Sequence, residues 1–157
     1  MKARTLAGIL ILCAQSCWAA DPTAVGFLKE HEGLRLKAYT DAGHLSIGYG
    51  HQLKDGESKS ITAERAEELL VSDVEVREKV VDAAVKVATT PNQRAALVSF
   101  AYNVGNGNFL KSTLLKKLNA GDVEGVKGEF GKWVRSEGKV MPGLVKRRAD
   151  EAELFGS

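Results

Sequence analysis

Two carboxylates, Glu32 and Asp41, stand nine residues apart, with the hydroxyl of Ser46 five residues further on and a glycine-rich run, Gly48-Tyr49-Gly50, ending in His51. That set suits the splitting of a glycosidic bond. One carboxylic acid protonates the departing oxygen, while a carboxylate and a hydroxyl hold a water on the opposite side. A lone Glu on a helix is ordinarily a solvated surface charge. Here acid, carboxylate and hydroxyl arrive together and in order, which points to chemistry.

The elements that must position these groups follow from hydrophobic spacing. Val25, Leu28, Lys29, Glu32 and Leu36 fall at helical intervals, so Asp21 to Leu36 is predicted as a first helix, capped by Asp21 or Thr23, with Glu32 near its end beside Gly33. Ala38 to His51 breaks into short apolar pieces and is predicted as a small hairpin, which would bring Asp41 and Ser46 together. Thr62 caps a long helix with Ala66, Leu69, Leu70, Asp73, Val74, Val80 and Val81 along one stripe. Thr90-Pro91 starts another, running to Gly105. Further helices are expected from Ser112 to Asn119, from Asp122 to Trp133, and from about Gly143 to Phe155. No repeat or linker interrupts them.

The run Glu32-Gly33-Leu34-Arg35-Leu36-Lys37-Ala38-Tyr39-Thr40-Asp41, leading into Ser46-Ile47-Gly48-Tyr49-Gly50-His51, resembles the active-site motif of the phage-type lysozymes. These are the T-even and lambdoid endolysins of glycoside hydrolase family 24. Ser46 stands where that family usually has Thr, and the Asp41–Ser46 loop is about a residue shorter than usual, a change a surface loop tolerates. Gln93 to Gly105, Ser112-Thr113-Leu114-Leu115 and Gly143 to Arg148 resemble the lambdoid branch, so the likeness covers nearly everything after residue 20.

The resemblance implies an α+β, lysozyme-like fold, mostly helical, in which a small β-hairpin lobe is joined by a long helix to a helical C-terminal lobe. It implies hydrolysis of the β-1,4 bond between N-acetylmuramic acid and N-acetylglucosamine in bacterial peptidoglycan. Glu32 would be the acid, with Asp41 and Ser46 sharing the attacking water and inverting the anomeric centre. It pairs His51 with Asp73 as a structural tie and places Asn103 where a cleft amide would meet an N-acetyl group. Tyr39 reads as a groove residue or equally as core packing, and Asn103 as a backbone cap besides. The family needs no cofactor, and a monomer is expected. Two other readings stay open: a lytic transglycosylase, which Asp41 and Ser46 argue against, and a wall-binding module that has lost activity.

Composition fits this picture. At 157 residues with 44% hydrophobic and 27% charged residues, the chain allows one globular domain. Its first nineteen residues differ: a basic start with Lys2 and Arg4, an apolar run from Leu6 to Ala14, then Cys17-Trp18-Ala19. This is the outline of a secretory signal cut after Ala19, or of an uncleaved signal-anchor, so the organisation expected is residues 1–19 for export and 20–157 for the lysozyme domain. Export to the periplasm or outside, with transient membrane contact through the N-terminal segment, follows. Both cysteines, Cys13 and Cys17, lie in that segment, leaving the mature chain without a disulfide framework.

The net charge of +2 falls to zero without Lys2 and Arg4. The basic excess after Asn103 suits an anionic wall polymer. It is diluted by Glu and lacks stacking aromatics, so nucleic acid is not an expected partner. His31, His44 and His51 match no zinc-site spacing, so no metal is expected, and His31 and His44 read as polar neighbours of the cleft. Trp133 reads as core. Arg147 and Arg148 read as surface and interlobe contacts.

Overall fold

The computed structural model describes residues 20–41 and 43–157, with only the backbone for Asp41. The expected export segment, with Cys13, Cys17 and Trp18, lies outside the described residues. The first helix, α1 (Pro22–Glu32), is followed by β1 (Arg35–Asp41), β2 (His44–Gly48) and β3 (His51–Gln52), then by α2 (Ala63–Ala84) and α3 (Pro91–Val104). After these come α4 (Asn106–Lys111), α5 (Thr113–Asn119), α6 (Val123–Phe130), β4 (Arg135–Ser136), β5 (Lys139–Val140) and α7 (Pro142–Gly156).

α1 is shorter than the spacing of Val25 to Leu36 predicts. The Asp21 carboxylate accepts from the Thr23 amide and caps the start, but Gly33, at φ +67°, turns the chain out of the helix directly after Glu32. Leu36 therefore belongs to β1 rather than to α1. The expected hairpin is a three-stranded antiparallel sheet in the order β1-β2-β3. Tyr39 pairs with Ser46, Thr40 with Leu45 and Asp41 with His44, with a register shift between Arg35 and Tyr39. Because strand side chains alternate, Tyr39, His44 and Ser46 share one face.

α2 carries the β lobe to the helical lobe. Its Thr62 hydroxyl accepts from the Arg65 amide, and Ala66, Leu70, Val74, Glu78 and Val81 form the buried stripe. Gly48 lies against that stripe so closely that a Cβ would stand 3.3 Å from the Ala66 methyl. Glu78 is the polar member: it accepts from the Asp21 amide at 2.8 Å and from Arg94 Nη1 at 3.1 Å. Arg94 also forks onto Asp82 at 2.7 and 2.8 Å. The start of α1 is thus tied to α2 and α3, which fixes where its other end, Glu32, emerges.

α3 is the axis of the helical lobe. A reciprocal Thr90–Gln93 capping box and Pro91 begin it, and Ala95 to Ala101 are all buried, as expected of a helix surrounded on every side. Phe100 meets Phe130 and Trp133 edge-on, with ring centroids 5.5 and 5.4 Å apart. α7 packs along α3 through a stripe of Arg147, Arg148, Glu151 and Phe155. The two arginines are therefore buried, at 4% and 1% exposure, and not the surface residues their charge predicts. Among the described residues no helix is long and apolar enough to cross a membrane.

Candidate active site

Glu32 is the last residue of α1, and the turn at Gly33 leaves its side chain projecting between the two lobes, 17% exposed. Arg147 Nη1 donates to Glu32 Oε1 at 2.6 Å. The other oxygen, Oε2, lies over Gly50, 3.6 Å from where a Cβ on that glycine would be. One carboxyl oxygen is therefore held by a buried guanidinium, and the other stands over the floor of a cleft.

That cleft has a volume of about 220 Å³. The sheet contributes Tyr39, His44, Ser46 and Gln52, and the end of α3 contributes Tyr102 and Asn103. The fold therefore brings Glu32, Ser46, Tyr39 and Asn103 to one cleft. Asp41 sits at the strand position facing His44, two residues along from the Tyr39–Ser46 pair. Tyr39 stacks under the Arg35 guanidinium, 4.4 Å from ring centroid to Cζ. Asn103 is not a helix cap: its Oδ1 accepts from Arg148 Nη2 at 3.1 Å. The α3 terminus is closed instead by the Gly105 amide, which donates to the Ala101 carbonyl.

Two further cavities share walls with this cleft. On the side of Glu32 and Asn103 lies a cavity of about 630 Å³, lined also by His31, Trp133, Arg135 and Arg147. Trp133 thus both packs on the core and lines this cavity. Past Gly50, Gln52 and Tyr102 lies a smaller space of about 300 Å³ with Asp73 and Arg77 on its wall. Three cavities that share walls in this way at the lobe junction suit an extended polymer.

Two contacts hold the β lobe against the helices beside these cavities. His51 Nδ1 lies 2.8 Å from Asp73 Oδ2, and His51 Nε2 lies 3.5 Å from Glu57 Oε2. The Tyr102 hydroxyl donates to the Tyr49 carbonyl at 2.8 Å. Burial, and then the negative charges of Asp73 and Glu32, push that phenol well above its usual range, so it stays a neutral donor.

Arg147, Gln52 and Tyr102 are among the cleft residues that sequence reasoning missed. The signal for Arg147 was available. Leu144, Arg148, Glu151 and Phe155 follow the core-facing spacing of α7, so charges at 147, 148 and 151 fall where apolar residues belong. His31, one residue before the acid, lies within reach of Asp150 at 3.3 Å and packs against Phe27.

Known proteins share both the sequence and the architecture. A sequence model of the family described as Phage lysozyme matches residues 29–151. An endolysin of Acyrthosiphon pisum secondary endosymbiont phage 1 is 44% identical over 135 residues, covering 83% of this chain and 92% of the relative. The endolysin of Bacillus phage PZA is 47% identical over 137 residues, 85% of this chain but 53% of the relative. The chain thus spans about half the length of that relative, and of a similar one from Bacillus phage B103. A protein named SAR-endolysin from Bacteriophage PS119 is 39% identical over 78% of this chain and 75% of its own length. Among solved structures, the muramidase domain of SpmX from Asticaccaulis excentricus superposes with a TM-score of 0.80 at 35% identity, covering 87% of this chain and 96% of that domain. On the motif around Glu32, the two-lobed fold and these matches, the chain belongs to the phage lysozyme family.

Proposed function

We propose that the protein is an endolysin-type muramidase that hydrolyses the β-1,4 bond between N-acetylmuramic acid and N-acetylglucosamine in bacterial peptidoglycan and so lyses the cell. The observation that carries this reading is the shared cleft: Glu32 and Ser46 line one cavity at the junction of the lobes. Glu32 gives its proton to the glycosidic oxygen as the bond from the anomeric carbon breaks. Asp41 and Ser46 hold a water on the opposite side, and its oxygen bonds to that carbon while Asp41 takes its proton. The configuration inverts, and no glycosyl-enzyme forms. His51 and Asp73 keep the sheet, and with it Ser46, in place. Asn103 and Tyr39 border the sugar.

Residues 1–19 supply export, either as a signal cut after Ala19 or as a signal-anchor. The relative named SAR-endolysin supports export as the route. The protein works on peptidoglycan as a monomer and without a cofactor.

Mass spectrometry of purified peptidoglycan treated with the protein, with Glu32→Gln alongside, tests the reaction. Reducing muramic ends that vanish in the variant, with a loss of about 10²–10⁴-fold, are expected. Anhydro-muramic ends would make it a transglycosylase. Binding without cleavage would make it a wall-binding module.

A further inference from the structure

Beneath the cleft lies a buried charge cluster that the proposed chemistry does not use directly. Glu151, on α7, is fully buried, at 0% exposure. Its Oε1 accepts from three donors: Ser99 Oγ at 2.7 Å, Arg147 Nε at 3.1 Å and Arg148 Nη2 at 3.1 Å. Its Oε2 forms an ion pair with Arg148 Nε at 3.0 Å. Burial pushes the Glu151 carboxyl up, and the two guanidiniums oppose that. Burial also lowers Arg148 to about 10, with the Glu151 charge opposing. Two cations at successive helix positions inside a core repel one another, and only a carboxylate between them makes the arrangement tenable.

Both arginines extend past Glu151 to the cleft. Arg147 reaches Glu32 Oε1 at 2.6 Å and Arg148 reaches Asn103 Oδ1 at 3.1 Å. The second contact settles the orientation of the amide. A guanidinium has donors only, so the Asn103 atom facing it is the oxygen, and the Nδ2 donor is turned away from Arg148. Asn103 lines the cleft, where such a donor meets a carbonyl, such as that of an acetamido group. Ser99 completes the frame: its carbonyl and hydroxyl each accept from Arg147 Nη2 at 3.3 Å.

We propose that Glu151 is a positioning residue that aims the acid Glu32 and the amide of Asn103 at once, through Arg147 and Arg148. This rests on the muramidase reading. A buried ionic cluster of this kind contributes little to stability relative to apolar packing, whereas each of its outer arms ends on a cleft residue. Orientation is what it supplies, and a displacement of about 1 Å at a reacting group costs on the order of 10²-fold in rate.

Steady-state cleavage of soluble, uncrosslinked glycan strands by the full chain tests this, with Glu151→Gln, Asn103→Ala and the double variant. E151Q, melting above the assay temperature, is expected to lose roughly 10- to 100-fold in kcat. Its rise in KM is expected to be non-additive with that of N103A, since both act through one contact. A folded E151Q with parental kcat, or KM effects that simply add, overturns the proposal. Should E151Q fail to fold, Ser99→Ala reads the same frame: a several-fold fall in kcat supports it, and an unchanged kcat overturns it. The nitrogen-15 NMR signal of the Asn103 side-chain amide, which meets Arg148 and not Glu151, gives a readout without turnover. It shifts in E151Q, or S99A, if Glu151 aims the amide through Arg148, and stays in place if it does not. A parental protein that leaves the strands intact would sink the muramidase reading alone, and the NMR arm would still decide the positioning.

Discussion

Gly50 forms the floor beneath the Glu32 carboxyl: a Cβ at that position would stand 3.6 Å from Oε2. Its φ of +90° is a conformation that L side chains rarely adopt, so a substituent there is strained before it touches anything. Gly50→Ala is expected to cost about 1–3 kcal/mol of stability and, in addition, to lower cleavage at temperatures where the variant is folded, because the methyl occupies the space beside the acid. Thermal melts and rates on glycan strands separate the two effects. A variant that melts early but cuts at the parental rate would show that Gly50 serves the turn alone.

Ser46 is buried on the face of the sheet turned to the cleft, opposite Tyr39. On the proposed mechanism, in which its hydroxyl holds the attacking water, Ser46→Ala should lower kcat by about 10²-fold or more while the fold persists. Ser46→Thr keeps the hydroxyl and adds a methyl that restricts its rotamer and suits a strand, so its rate should match or exceed the parent's. Equal rates for the Ala variant and the parent would remove Ser46 from the mechanism.

His51 and Asp73 join β3 to α2 at 2.8 Å in a partly buried setting. A hydrogen bond to a charged partner contributes about 1.5–3 kcal/mol, and Asp73→Asn or His51→Ala should each cost an amount of that order in urea unfolding. The double variant should cost little more than either single one, since both remove the same contact. Additive losses would mean that the two side chains stabilise the fold separately.

How much of this was legible in the sequence follows from the range of each interaction. Local signals served well: the Thr90-Pro91 start of α3, its stop at Gly105 and the buried stripe of α2 lie where spacing and caps place them. The motif gathered Glu32, Tyr39, Asp41 and Ser46 because they lie within fifteen residues of one another. The six-residue α4 and the two-residue strands β4 and β5 escaped, since such short pieces carry no periodicity. Glu137-Gly138, both at positive φ, is the only local trace of the second hairpin. The contact between Glu32 and Arg147 spans 115 positions, and a charge on a helix ordinarily faces solvent. Only the packing of α7 on α3 turns Arg147 inward.

His31 makes stability depend on pH in a direction its surroundings dictate. Its side chain is 11% exposed, against Phe27 on one side and 3.3 Å from Asp150 Oδ2 on the other. Burial lowers its pKa below 6.5, and the charges of Arg147 and Lys146 lower it further, against the opposing pull of Asp150 and Glu30. The unfolded chain therefore takes up a proton at a pH where the folded protein still excludes it. Stability from this residue is fully present above about 6.5, falls as the pH drops below that value, and stops falling once the pH is below the folded pKa. Carboxylates held low in the fold, such as Glu129 between Lys132 and Lys117, lose their contribution only in more acidic solution. The difference in melting temperature between the parent and His31→Gln, followed downward from pH 7.5, isolates the histidine. The parent should lose ground to the variant as acid is added, and parallel curves would place His31 in solvent-like surroundings.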